Sequence, residues 1–146
     1  MKSSLPRKQK GAVAIEFALV FVLFFAVFYA IVSYSLPLLL MQSFNQSTAE
    51  AVRRSVAVDP SAPGYAATVQ ATAAAELNRQ LAWIPAALNF NAATDSTITF
   101  VAGVLKVKVD YPTSKLNRVV PFLVLPGIGS VPNLPATLSA SSSLQF

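Results

Sequence analysis

The most prominent pattern in the chain is a long apolar run near its N-terminus. No charged residue occurs from Phe17 to Ala49. From Ala12 to Tyr34 the chain is apolar apart from Glu16 and Ser33. In a helix these 23 residues, each adding about 1.5 Å, span roughly 35 Å, which is enough to cross a hydrocarbon core of about 30 Å. The run therefore predicts a transmembrane helix, which we assign to residues 12–36.

Helical periodicity continues beyond this run. Pro37 lacks an N–H, so the carbonyl of Ser33 loses its helical partner. We therefore expect a kink where the helix leaves the outer side of the membrane that it spans. The residues that then follow helical spacing are Met41, Phe44, Thr48, Val52 and Val56. We predict that the helix continues as an amphipathic stem over residues 37–58, followed by a Pro- and Gly-containing linker at residues 59–64.

The remaining residues, 65–146, predict a small domain with one helix and three strands. Apolar residues at every fourth position indicate a second helix from Tyr65 to Ile84, which Pro85 ends. This helix needs a partner for its apolar face, and the only strand patterns in the chain follow it. We therefore expect it to pack on a sheet.

Alternating apolar and polar side chains predict that sheet. The runs Thr97–Val101 and Leu105–Tyr111 are separated by a break around Gly103, which indicates a tight antiparallel hairpin. The tail from Thr137 to Phe146 also alternates and predicts a third antiparallel strand. The predicted fold class is α+β: a long N-terminal transmembrane helix and stem, and a second helix packed on about three antiparallel strands.

One apolar segment, Val119–Pro135, fits none of these elements. It is interrupted by prolines and is too short and too proline-rich to form a second transmembrane helix. Two interpretations stay open. The segment is either a loop folded across the domain or an exposed apolar surface that meets the membrane or a neighbouring subunit.

The charge distribution predicts the topology. The net charge is +5, and four basic residues precede the apolar run without any acidic residue among them: Lys2, Arg7, Lys8 and Lys10. By the positive-inside rule these residues lie in the cytoplasm, and the C-terminal domain lies outside. We expect a single-pass membrane protein.

Composition excludes several function classes. The chain has neither cysteine nor histidine, which removes disulfides, Cys/His metal sites and the common partners of a nucleophilic triad. Its acidic residues are scattered, and no basic stripe interleaved with aromatics exists to follow a phosphate backbone. We expect no enzyme activity, no cofactor, no metal, no small-molecule substrate and no nucleic acid.

A carboxylate interrupts the start of the apolar run. Glu16 lies about one turn inside it, where burying a charge costs up to about 2.5–3.5 kcal/mol near the bilayer centre, so it suggests a functional site. It is the fifth residue counted from Ala12, and Phe17 follows it. A basic leader ending in Gly11 precedes this group. The arrangement resembles the prepilin-peptidase site of type IV pilins, especially the Flp/Tad pilins.

That resemblance implies a processing step and an assembly contact. A membrane-bound prepilin peptidase would cut between Gly11 and Ala12, making residues 1–11 a leader peptide. In the pilin family the glutamate at this place is thought to pair with the N-terminal amine of a neighbouring subunit. Glu16, with Phe17 beside it, would then act in assembly and recognition.

The order of elements over the whole chain is similar to that of the TadE-like pseudopilins of tight-adherence (Flp) pilus systems. Membership would imply a minor pilin or pseudopilin of the bacterial inner membrane, with a periplasmic C-terminal domain, that helps to assemble a pilus for surface attachment. Its partners would be the prepilin peptidase, other pilin subunits and the assembly platform. The chain departs from the major Flp pilins, since Phe17 stands where they usually have Tyr and the predicted mature chain is much longer.

Two alternatives stay open. An ordinary secretory signal peptide could end at the small-x-small sequence Ser33-Tyr34-Ser35. An uncleaved signal anchor could instead carry an envelope adaptor unrelated to pili, in which Val119–Pro135 is the contact surface and Glu16 is incidental.

Overall fold

The protein is described by a computed structural model that covers residues 9–125, 127 and 129–146. Three α-helices and five strands follow one another in the order α1 (Gln9–Ser55), α2 (Tyr65–Leu81), α3 (Ala92–Asp95), β1 (Ser96–Val101), β2 (Val104–Pro112), β3 (Leu123–Leu125), β4 (Gly129–Val131) and β5 (Thr137–Gln145). Short 3-10 turns occupy Ala86–Leu88 and Thr113–Arg118. The predicted α+β fold class is confirmed.

α1 is one helix that joins two different environments. It runs through Pro37 without interruption and ends at Ser55, three residues before the predicted end of the stem. Within the described part of the chain it is the one helix long and apolar enough to cross a bilayer. Its N-terminal half is exposed, whereas its C-terminal half contributes Leu40, Phe44 and Ala51 to the core with no exposed surface.

The core lies between two helices and one face of a sheet. α1 packs against α2, β2 and β5, and α2 also contacts β1. Phe44 is at the centre, with its ring centroid 5.7 Å from that of Phe90 and 6.0 Å from that of Tyr111. The buried Tyr111 hydroxyl donates a hydrogen bond of 2.7 Å to the carbonyl oxygen of Leu88, so its polar end is satisfied.

The main sheet is antiparallel with the order β1-β2-β5, so β2 is its central strand. Ala102 and Gly103 form the two-residue turn between β1 and β2, and both have positive φ angles, 50° and 77°. Such a turn matches the twist of the strands it joins and fixes their register. From Leu105 to Tyr111 of β2 the apolar residues are buried and the charged ones are not, as the alternation predicts.

The second helix is shorter than predicted. α2 ends at Leu81 rather than Ile84, and the N–H of Ile84 donates to the carbonyl oxygen of Leu81 in a final turn. Ile84 precedes Pro85, and the residue before a proline is disfavoured in the α conformation. Pro85 also has no N–H to donate to the carbonyl oxygen of Leu81, four residues earlier, so the α-helical bonding ends there.

A second, two-stranded sheet forms inside the Val119–Pro135 segment. β3 pairs with β4, with Val124 opposite Ser130. This hairpin lies against α1, and the crevice between them has a volume of about 360 Å³ and is almost entirely apolar. Of the two interpretations of this segment, the structure favours an exposed apolar surface, since the Val124 side chain is 78% exposed.

Glu76 on α2 links the stability of the domain to pH. The side chains of Arg79 and Gln80 donate hydrogen bonds to its carboxylate, with Arg79 Nε at 3.0 Å and Gln80 Nε2 at 2.9 Å. These donors, Arg79 first, lower the pKa of Glu76 from 4.5 to about 2.

A depressed carboxyl pKa stabilises the folded state above pH 4.5, and this contribution is lost as the pH falls towards 2. We expect Glu76→Gln to be less stable than the parent chain at pH 7 and to lose less stability between pH 4.5 and 2. Thermal unfolding of the full chain in detergent across this range measures both effects. Parallel curves for the two proteins would contradict the linkage.

Candidate assembly site on the N-terminal half of α1

The four residues of the predicted processing and assembly site share the first turns of α1. Gly11, Ala12, Glu16 and Phe17 are all helical and exposed. Lys2, Arg7 and Lys8, which carry the topology prediction, lie outside the described residues, and of Lys10 only the helical backbone is described. The structure therefore bears on the geometry of the site and not on its orientation across the membrane.

Gly11 is not required by the packing of the helix. A Cβ atom added there would meet nothing within 4 Å. Glycine makes this turn easier to unwind, because a helix with glycine at an interior position is less stable than one with alanine there by about 1 kcal/mol. The bond between Gly11 and Ala12 is helical in this structure, so an enzyme that binds an extended strand would first unwind this turn, and glycine makes that unwinding easier.

Glu16 lies one turn after Ala12. Four residues correspond to a rise of about 6 Å and bring the two side chains to the same face of the helix. Among the described residues, no hydrogen bond or ion pair reaches the Glu16 carboxylate within the chain. In lipid, an ionised carboxylate needs a partner.

A ridge of aromatic rings follows another side of the same helix. The centroids of Phe17 and Phe21 are 6.2 Å apart, those of Phe21 and Phe25 are 5.8 Å apart, and Phe24 and Phe28 stack at 6.3 Å. At about 100° per residue, the ridge and Glu16 are roughly a third of a turn apart around the axis. Glu16 instead shares its side with residues such as Leu23 and Val27, which are both exposed.

The β3–β4 hairpin takes up the third side. The helix residues that line its crevice are Phe25, Ala26, Val27, Tyr29 and Ala30. Phe25, Ala26 and Tyr29 lie away from Glu16, whereas Val27 and Ala30 lie on the Glu16 side, so the hairpin borders that side at its outer end. From Glu16 to Leu23 the Glu16 side is open to lipid or to another helix.

The comparison with known protein families gives one result. The model of the TadE-like protein family matches residues 11–53. Over this segment the chain is similar to TadE-like proteins. The resemblance to TadE-like proteins predicted from the sequence is confirmed for these residues. No curated protein and no solved structure matched the chain.

The TadE-like segment coincides with α1 and not with the domain as a whole. It begins at Gly11 and ends at Arg53, so it contains Glu16, Phe17 and the stem residues that enter the core. α2 and both sheets lie outside it. The similarity thus follows the helix that carries the candidate site.

Sequence reasoning missed two tyrosines that join the TadE-like segment to the rest of the chain. The Tyr29 hydroxyl donates to the carbonyl oxygen of Pro121, and the Tyr34 hydroxyl accepts a bond of 2.8 Å from the N–H of Asn133. The signal was their position near the outer end of the apolar run, since tyrosine is enriched at membrane interfaces. No cluster of three or more metal-ligating side chains occurs in the described ranges.

Proposed function

We propose that this chain is a minor pilin or pseudopilin of a tight-adherence (Flp) pilus system. In this proposal a prepilin peptidase cuts after Gly11, and the mature chain joins an assembly through α1. The observation that carries the proposal is the TadE-like match over residues 11–53, since it spans the helix on which Gly11 and an open Glu16 face occur together. The role is structural rather than catalytic.

The physical basis of assembly is charge compensation in lipid. Cleavage would create an amine on Ala12, and the Glu16 carboxylate of a neighbouring subunit can pair with it. Two opposite charges attract strongly at low dielectric, and neither is well solvated alone. The small side chain of Ala12 lets a second helix approach closely at this level.

The proposed topology follows from the same helix. The basic residues before it would stay in the cytoplasm, and the domain from residue 65 onwards would lie in the periplasm. The peptidase acts on the cytoplasmic face, where Gly11 would then be found. We place the unprocessed chain in the inner membrane, with the peptidase, other pilin subunits and the assembly platform as its partners.

N-terminal sequencing tests the processing step. We expect a new end at Ala12 when the chain is produced with the tight-adherence prepilin peptidase, and an intact end without it. Gly11→Ala should slow the cut about fivefold, because alanine makes this helical turn about 1 kcal/mol harder to unwind. The helix itself should be unchanged, because a Cβ at this position meets no atom within 4 Å.

Two results would overturn the proposal. An end at Leu36 would identify an ordinary signal peptide. An intact Met1 in the presence of active peptidase would leave a signal anchor, with an envelope adaptor as the function. A known substrate of the same peptidase, processed in the same cells, is the control for enzyme activity.

A further inference from the structure

The β3–β4 hairpin lies beside a part of α1 that belongs to the membrane span. Counted from Ala12, a hydrocarbon core of about 30 Å takes up about 20 helical residues, so its outer edge falls near Val32. Phe25 is then about 10 Å inside that edge. The helix residues that line the crevice beside the hairpin lie between Phe25 and Ala30, so the hairpin residues on its other side lie at the depth of the outer leaflet.

The composition of the hairpin suits lipid rather than water. From Val119 to Phe146 the chain has no charged residue, and Arg118 is the last charge before it. Leu123 is 44% exposed and Val124 is 78% exposed, and both lie on β3. Apolar side chains of this size are stabilised by leaving water, and the crevice behind the hairpin is already apolar.

Its backbone is suited to the interface rather than to the hydrocarbon core. The two short strands pair with each other, but the outer edge of each strand leaves N–H and C=O groups that need partners, and headgroups and water supply these at the interface. Three side chains hydrogen-bond backbone groups that flank the strands. The Tyr29 hydroxyl donates to the carbonyl oxygen of Pro121, and the Tyr34 hydroxyl accepts from the N–H of Asn133. The Asn117 side chain accepts from the N–H of Phe122 at 3.1 Å. The segment Val119–Pro135 also contains four prolines, which have no N–H to satisfy: Pro121, Pro126, Pro132 and Pro135.

We propose that the β3–β4 hairpin inserts into the outer-leaflet interface of the bilayer, beside its own transmembrane helix. The ligand is a lipid surface: acyl chains meet Val124 and Leu123, and Tyr29 and Tyr34 lie near the headgroups. This second contact fixes the depth of α1 and holds the domain against the membrane. The inference requires only that α1 spans the bilayer, so it stands or falls separately from the proposed pilus function.

Depth-dependent fluorescence quenching tests the insertion. Trp83 is the single tryptophan in the chain, so Trp83→Phe gives a silent background. Val124→Trp places a reporter on β3, and Ser130→Trp places a second on the residue directly opposite. Val101→Trp is the matched control, because Val101 is 70% exposed and adjoins the β1–β2 turn at the other end of the domain.

Each full-length variant is reconstituted in phosphatidylcholine vesicles that carry a nitroxide either near the headgroup or deep in the acyl chain. We expect both hairpin reporters to lose most of their emission to the shallow nitroxide and less to the deep one. The Val101→Trp reporter should keep its emission and be quenched by aqueous iodide.

Three outcomes would overturn the proposal. Hairpin reporters that respond to iodide as the control does would place the hairpin in water. Stronger quenching by the deep nitroxide would place it in the core of the bilayer rather than at the interface. Hairpin reporters that are protected from iodide and from both nitroxides, and lose this protection on dilution with lipid, would show that a second copy of the chain covers the hairpin.

Discussion

Glu16→Ala should remove the chain from the assembled pilus complex while cleavage after Gly11 continues. The proposed pair joins the Glu16 carboxylate to an amine on another subunit, and removing one member leaves the other charge unpaired in lipid. Breaking a buried pair in this way costs about 3 kcal/mol or more, which corresponds to at least about 100-fold weaker association. Processing should be unaffected, since the peptidase acts before assembly.

Co-purification of the chain with the pilus or its membrane platform, together with N-terminal sequencing, measures both steps. Glu50→Ala is the matched control, because Glu50 is a carboxylate on the same helix that pairs with Arg53 at 2.8 Å and Arg54 at 3.0 Å in the stem. Exposed pairs of this kind contribute little, so the control should assemble normally. Normal assembly of Glu16→Ala would make Glu16 incidental and favour the envelope adaptor.

Phe44→Ala should unfold or severely destabilise the domain. Phe44 is fully buried and its ring packs against those of Phe90 and Tyr111, so truncation leaves a cavity at the point where α1 meets the sheet. Truncating a buried phenylalanine costs about 3–5 kcal/mol, a large fraction of the stability of a small domain. Denaturant unfolding of the full chain in detergent, followed by Trp83 fluorescence, measures the loss.

The same substitution elsewhere on α1 provides the control. Phe24 is 64% exposed and contacts no part of the domain core, so Phe24→Ala should change the unfolding free energy by less than about 0.5 kcal/mol. If the two variants were equally stable, the stem of α1 would not be part of the cooperative unit that the structure describes.

Much of this fold follows from local pattern. The apolar run defines the span of α1, because a bilayer imposes a length and a composition at once. β2 could be predicted because one of its faces is buried and the other carries Lys106, Lys108 and Asp110. The turn at Gly103 then sets the pairing of β1 with β2.

The β3–β4 hairpin could not be predicted. Its strands have three residues each, which is too short for alternation to be seen, and the segment is apolar on both sides. Its position depends on hydrogen bonds to Tyr29 and Tyr34, which are 92 and 99 residues away from their partners in the sequence. Such contacts leave no periodic signal.

The candidate site divides in the same way. The spacing of Gly11 and Glu16 supplied the proposed processing and assembly residues, and their roles stay a prediction. Which side of the helix stays open could not be predicted, because it depends on the hairpin that covers Tyr29 and Ala30.

The continuity of α1 has a mechanical consequence. One helix of 47 residues carries the apolar span at one end and Phe44 at the other, with no flexible linker between them. Any force that draws the N-terminal half out of the bilayer, or holds it within a fibre, therefore reaches the domain core directly along the backbone. Tension along α1 would shear the stem against the rest of the domain. The force needed to unfold the domain would therefore set the largest tension that such a subunit can carry.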